Sequence, residues 1–235
     1  YCDFSGYSDM AIGIALILGY RFKDNFMAPF KAQNPSDFWR RWHISLSTWL
    51  RDYVYIPLGG NRRGASRTYL NNFLTMLIGG LWHGASWMYV IWGAYHGLLL
   101  AVHKALKPYW RLPDQLKGRP EIRLANMAVT FMLIVAGFVF FRASSLETVG
   151  TIATQIFTDF HIDVAPQFVE GYMMIVAVML LGLTMHLLPR SWSIGASAAY
   201  VASPVLWQAV LLAAVIFIVV QTRQSELVPF IYLQY

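Results

Sequence analysis

"LTMLIGGLWHGASWMYVIWGAYHG", residues 74–97, decides what kind of protein this is. The stretch is largely apolar and is punctuated by Gly79, Gly80, Gly84, Gly93 and Gly97. It holds an ionisable imidazole, His83, where a buried position would normally carry Leu or Val. The composition extends the point to the whole chain: of 235 residues, 57% are hydrophobic, 16% aromatic and 13% charged. An ordinary soluble domain carries about 25% charged residues, and a chain of this length cannot bury so much apolar surface in a core of its own. The apolar residues also gather in blocks close to the roughly 17 to 25 residues that cross a bilayer as a helix. The expected fold class is all-α: a polytopic membrane helix bundle with interfacial amphipathic and re-entrant helices.

The net charge of +6 does not point to nucleic acid, because the cations cluster in loops between apolar blocks. That is the positive-inside bias of membrane proteins, and it makes membrane lipid the expected surface partner. The single cysteine, Cys2, excludes an internal disulfide framework and a Cys-based zinc site, and no metal site is expected. The start, "YCDFSGYSDM", has no initiator Met, basic n-region or cleavage pattern and opens inside an apolar segment. The expectation is one membrane domain over residues 1–235, forming the C-terminal portion of a longer protein.

Along the chain, a first apolar segment runs to residue 20, interrupted by Asp3 and Asp9. Residues 21–67 are mixed and basic and read as a cytoplasmic amphipathic segment. Residues 68–103 form the apolar, glycine-rich block, and residues 104–123 make a second basic loop. Further apolar blocks lie near 124–141, 171–188 and 203–221, and a polar tail, "QTRQSELVPFIYLQY", closes the chain. Both basic loops belong on the cytoplasmic side, so the 36 residues between them cross an even number of times. Two full spans need about 40 residues, so residues 68–103 are expected to be a hairpin of short or re-entrant helices. The 143–170 loop, with Glu147, Asp159, Asp163 and Glu170 and no Lys or Arg, suits the outer side. The 189–202 loop returns inside, and the C-terminus falls outside. No internal repeat is evident, which leaves an inverted-repeat transporter without support.

Residues 35–55 read as an interfacial helix rather than a span. Asn34 can cap it, Pro35 suits its first position and Asp37 its first turn. At helical spacing Trp39, Trp42, Leu46, Trp49, Leu50 and Tyr53 share one arc, with arginines over the rest. His43 falls at the edge of that arc and is expected to point inward. Among the other histidines, His161 reads as solvated and His186 as reaching the interface from a helix end. His96 and His103, seven apart on one helix face, read as satisfied structural histidines. His83 stands apart, because ionisable groups inside membrane segments are costly and usually face a bundle interior or wet cavity. Its small neighbours allow close approach of helices or of a ligand. A histidine that only locks packing remains the alternative.

"DFSGYSDMAIG" (3–13), "FWRRWHISLSTWLRDYVYIPLGGNRRG" (38–64), the 74–97 stretch and the ending "PFIYLQY" (229–235) closely resemble bacterial membrane-bound O-acyltransferases. Within that family the likeness is to the branch that O-acetylates alginate and related polysaccharides. It is densest over 1–104, resumes at "GFVFFRASS" (137–145) and is only generic over 146–225. The resemblance implies a helical bundle with an internal tunnel, where a cytoplasmic donor and an opposite-side acceptor meet near a buried histidine. The "WHG" motif assigns His83 as catalytic. The second family position, His or Asn, falls on His43 of "WRRWH". The resemblance further implies acetyl-CoA as donor substrate, periplasmic acetyl-transferring proteins and an exported polysaccharide as partners, and a multi-pass place in the bacterial inner membrane.

Moving acetyl from a thioester to a hydroxyl needs a base for the alcohol and stabilisation of the tetrahedral oxyanion. A neutral imidazole at His83 suits the first task. His43 could orient the donor or donate a hydrogen bond to the oxyanion. A covalent acyl-histidine relay is the mechanistic rival. Asn61, Arg62 and Arg63 in "LGGNRRG" suit the phosphates of CoA, unless they form only an inside loop. Arg40, Arg41 and Arg51 suit lipid headgroups. D-alanyl transfer to teichoic acid is the same-family alternative, and a channel or transporter with a proton-relay histidine is the alternative from another class.

Overall fold

The computed structural model describes residues 1–109, 113, 116 and 118–221. The "PFIYLQY" ending, most of the polar tail and part of the second basic loop lie outside the described residues. Those described form helices and connecting loops, in two compact units, Tyr1–Gly171 and from Tyr172 onward.

In the first unit, α1 is Cys2–Ile17. The 21–67 segment then departs from the single amphipathic helix read from its spacing. Asn34 does cap a helix, its side chain accepting from the Asp37 N–H, with Pro35 at the first position. That helix, α2, ends at Trp39, and α3 starts only at Ile44 and runs to Leu50. Between them His43 adopts φ 44°, ψ 56°, a left-handed conformation that stops an α-helix. The backbone groups released by the break bond elsewhere: the Met27 N–H donates to the Arg41 carbonyl, and the Ile44 N–H to the Asn25 carbonyl, both at 2.9 Å. After α3 the chain passes through a π turn, Arg51–Tyr55. The break also splits the predicted aromatic arc. Trp42 stacks on Phe38 and packs against Phe138, while Trp49 and Tyr53 stay exposed.

The 68–103 block is a helical hairpin. Helix α4, Ala65–His83, and α5, Trp87–Leu106, pack along most of their length. Glycines make the contact possible: a methyl on Gly93 would lie 2.5 Å from the Met76 carbonyl oxygen. One on Gly80 would overlap the Tyr89 carbonyl, and one on Gly97 would come within 2.9 Å of the Phe73 Cα. Small residues thus let two backbones touch, as membrane helix pairs require. Helix α6, Pro120–Arg142, packs across α5 and is long and apolar enough to cross a membrane by itself. Its Ile134 joins Phe38 and Ala32 in the buried core, with Phe30, Trp39, Trp42 and Phe138 packed around them, so Phe30, Phe38, Trp39 and Trp42 of the 21–67 segment face protein.

Two stretches read as loops are partly helical. Ser145 caps α7, Leu146–Phe157, by accepting from the Thr148 N–H, with Glu147 in the first turn. Helix α8 is Ala165–Gly171. In the second unit, α9 (Met173–Leu187) and α11 (Val205–Gln221) occupy the predicted apolar blocks. The 189–202 stretch is itself helix α10, Arg190–Ala202, bent by 120° from α11 at a short break.

Candidate functional site

His83 is the last residue of α4 and lies at the tip of the hairpin rather than midway along a helix. Gly84, at φ 154°, ends α4, and Ser86 starts α5 by accepting from the Met88 N–H. "HGAS" is therefore a stop–start signal that presents the imidazole beyond the helix end. The His83 ring meets Trp92 edge-on at 5.1 Å between centroids and Phe141, from the end of α6, at 5.0 Å. Trp82 lies at 5.1 Å and Tyr89 at 6.2 Å. Three helices thus contribute to an aromatic cage around one half-buried imidazole.

His43 comes to the same place from the α2–α3 break. It is buried, 8% exposed, and points inward as its spacing predicted. Its ring lies 6.0 Å from the Trp82 indole, which also contacts His83, so one indole separates the two imidazoles. Phe4 of α1 meets the His43 ring edge-on at 4.7 Å. Burial pushes its imidazole down to about 4, so it is neutral at neutral pH. Its Nδ1 is 3.3 Å from both Asn25 Oδ1 and Ser45 Oγ. Its Nε2 is buried without a hydrogen-bond partner among the described residues.

Below His83, Trp92 also packs on His96 (4.8 Å), and His96 on Trp39 (5.2 Å). His96 is 1% exposed, and neither of its ring nitrogens has a hydrogen-bond partner among the described residues. Its expected reading as a satisfied structural histidine therefore fails. The ring is set by packing against the Cα of Gly137 and three aromatic neighbours, which leaves its polar atoms facing apolar groups. The Nε1 atoms of Trp39 and Trp92 are likewise buried and unpaired, so the polar atoms of the ring stack beneath His83 are consistently under-satisfied.

Trp39 also lines a cavity of about 510 Å³ between the 34–55 segment and the hairpin. Arg40, Arg51, Lys104 and Lys107 line it, and among the described residues no Asp or Glu does. Lys104 Nζ donates to Asn72 Oδ1 at 3.2 Å and lies 5.8 Å from the Tyr55 ring centroid. Arg51 is exposed and bidentate to Asp52, at 2.7 and 3.1 Å. His103 lines the same cavity, away from buried His96 although both share α5. Asn61, Arg62 and Arg63 are exposed and lie outside this lining, with the Arg63 side chain folded over Gly59. His161, far along the chain, is exposed between Asp159 and Asp163, at 3.2 and 3.6 Å.

Asn25 lies outside every motif read from the sequence, and Ser45, Trp92 and Phe141, though inside quoted motifs, carry no role there. Lys104 and Lys107 carry a weak signal, three residues apart at a helix C-terminus, where cations are expected anyway.

The pattern of the MBOAT, membrane-bound O-acyltransferase, family matches residues 1–146. Similar proteins include a probable alginate O-acetylase AlgI of Pseudomonas syringae pv. tomato, 52% identical over 67% of this chain and 29% of that protein. A peptidoglycan O-acetyltransferase of Helicobacter pylori is 47% identical over 63% of this chain and 27% of its own. A teichoic acid D-alanyltransferase of Bacillus subtilis is 32% identical over 60% and 38%. The match spans about three tenths of the length of the alginate acetylase relatives. The family match over residues 1–146 takes in α1 to α6, with both histidines.

Proposed function

The chain belongs to the membrane-bound O-acyltransferase family, and from that premise we propose that it transfers acetyl groups towards hydroxyls of an exported polysaccharide such as alginate. The observation that carries this reading is the convergence of His83 and His43 on the two sides of Trp82. Identity supports acetyl over D-alanyl transfer: 52% and 47% to the two O-acetylating relatives, against 32% to the alanyltransferase.

The donor is acetyl-CoA, presented from the cytoplasmic side. The cavity lined by Arg40, Arg51, Lys104 and Lys107 suits its phosphates, because several cations beside low-dielectric walls favour a polyanion. The Asn61–Arg63 loop is a second, outer place for them. At the hairpin tip His83 acts as general base: it accepts the proton of the attacking hydroxyl, the oxygen bonds to the thioester carbon, and the thiolate leaves with that proton. The protein sits in the bacterial inner membrane, crosses it several times, and hands acetyl to periplasmic acetyl-transferring partners.

Inverted membranes holding the full-length protein and its partners test this directly. Acetyl-labelled acetyl-CoA should label polysaccharide with wild type and not with His83→Ala. Equal labelling by a stably inserted His83→Ala protein overturns the reading. Solute or ion flux without any acyl donor would replace it with a transporter.

A further inference from the structure

Asn25 stands eighteen residues before His43, in a loop that carries no recognisable motif, yet its carboxamide is the hub of the α2–α3 break. Its Nδ2 donates to the buried Ser8 hydroxyl of α1 at 3.1 Å. Its Oδ1 accepts from the Ser45 N–H at 3.2 Å and from the Ser45 hydroxyl at 2.9 Å. Its backbone carbonyl accepts from the Ile44 N–H at 2.9 Å. The carboxamide orientation follows from these partners, because a backbone N–H can meet only the oxygen end of the amide.

The consequence for His43 is a matter of hydrogen accounting. Its Nδ1 faces two oxygens, Asn25 Oδ1 and Ser45 Oγ, each at 3.3 Å. Asn25 Oδ1 has only lone pairs to offer. The Ser45 hydroxyl already donates its hydrogen to that same oxygen, so it too offers lone pairs. The neutral ring must therefore carry its proton on Nδ1. Its other nitrogen, Nε2, is left as a bare lone pair, buried and with no partner among the described residues.

We infer that Asn25 is a positioning residue that fixes His43 as the Nδ1–H tautomer, so that His43 offers an acceptor, not a donor, to the reacting groups. The inference rests on the acyl-transfer reading and narrows it. A neutral His43 in this tautomer cannot donate to the oxyanion through Nε2. It accepts instead, from the hydroxyl of the incoming acceptor or from an amide N–H of the donor. The same clamp accounts for the left-handed backbone of His43, which is strained in a residue with a Cβ and persists only where the surroundings over-determine it.

The test reads the tautomer apart from the activity. In full-length protein labelled with nitrogen-15 histidine, the ring nitrogen shifts and ring proton couplings of His43, assigned by loss of its signals in His43→Asn, report which nitrogen is protonated. Wild type should show the Nδ1–H form. Asn25→Asp, which keeps the acceptor, should retain it, and Asn25→Leu should give a mixture. An Nε2–H wild type overturns the inference, as does an Asn25→Leu protein that keeps Nδ1–H. Acetyl transfer is measured on the same proteins. Loss of at least about tenfold in Asn25→Leu, with most activity kept in Asn25→Asp, supports the inference, since a wrong tautomer alone can cost up to about 10⁴-fold. A tautomer that shifts while transfer stays at the wild-type level upholds the clamp and overturns a role for His43 in the reaction.

Discussion

The two imidazoles that flank Trp82 sit in different surroundings. His43 is fixed by polar contacts: Asn25 and Ser45 engage one nitrogen, and the backbone is bent into the left-handed region to present it. His83 is surrounded by rings, with Trp92, Phe141 and Trp82 all within 5.1 Å between centroids. A ring held by hydrogen bonds has its tautomer chosen for it. The rings around His83 define its plane. Under the proposed acyl transfer, these surroundings suit different work at two residues of the same type.

The strongest way to break that contrast is to remove each ring in turn. His83→Ala should lower acetyl transfer by about 10²–10⁴-fold, the usual worth of a general base, at unchanged protein level. A larger loss in His43→Ala than in His83→Ala, measured as polysaccharide acetyl content, would exchange the two roles. Next comes Gly84→Ala, which leaves both rings chemically intact. Its methyl would sit 2.8 Å from the Tyr89 ring at a backbone angle of φ 154°. Displacing the cage in this way should reduce transfer by about tenfold or more, since misplacement by 1 Å can cost about 10²-fold.

A smaller effect separates strain from chemistry at His43. Asn tolerates the left-handed region better than Ala does. In detergent, His43→Asn should therefore unfold close to wild type. His43→Ala should lose about 1–2 kcal/mol through the missing Nδ1 hydrogen bonds and the disfavoured backbone. Equal melting of the two variants would mean that the left-handed turn is not under strain. The smallest effect belongs to the cavity. Lys104→Ala should raise the apparent KM for acetyl-CoA several-fold with kcat unchanged, the pattern of lost uniform binding. An equal change in Arg62→Ala and none in Lys104→Ala would move the donor phosphates to the 61–63 loop.

Much of this arrangement is legible in the amino-acid sequence. Asn34–Pro35–Asp37 announces a helix start because capping depends on local chemistry alone. Gly80, Gly93 and Gly97 announce a close helix pair because only the absence of Cβ permits one. What stays hidden is everything decided at long range. The helical spacing of residues 35–55 is sound, yet it is overridden at His43 by Asn25, whose hydrogen bonds replace those a continuous helix would have made. Trp92 and Phe141 become cage walls only because α5 and α6 cross near the hairpin tip. The close seat of His96 against α6 depends on Gly137, forty-one residues later, where a methyl would lie 2.6 Å from its Nε2.

The glycine seam also makes the α4–α5 hairpin a gauge of fixed length. With two backbones in contact it cannot be shortened by sliding one helix along the other. From Asn72, where Lys104 is anchored, to His83 at the tip is about 16 Å along α4 at the standard helical rise. A donor whose phosphates rest beside Lys104 must carry its acetyl group on an arm of about that reach. Small activated acetyls such as acetyl phosphate are too short to touch both ends. With the donor seated as proposed, selection against them would need no contact with the acetyl group itself; the distance alone would make it.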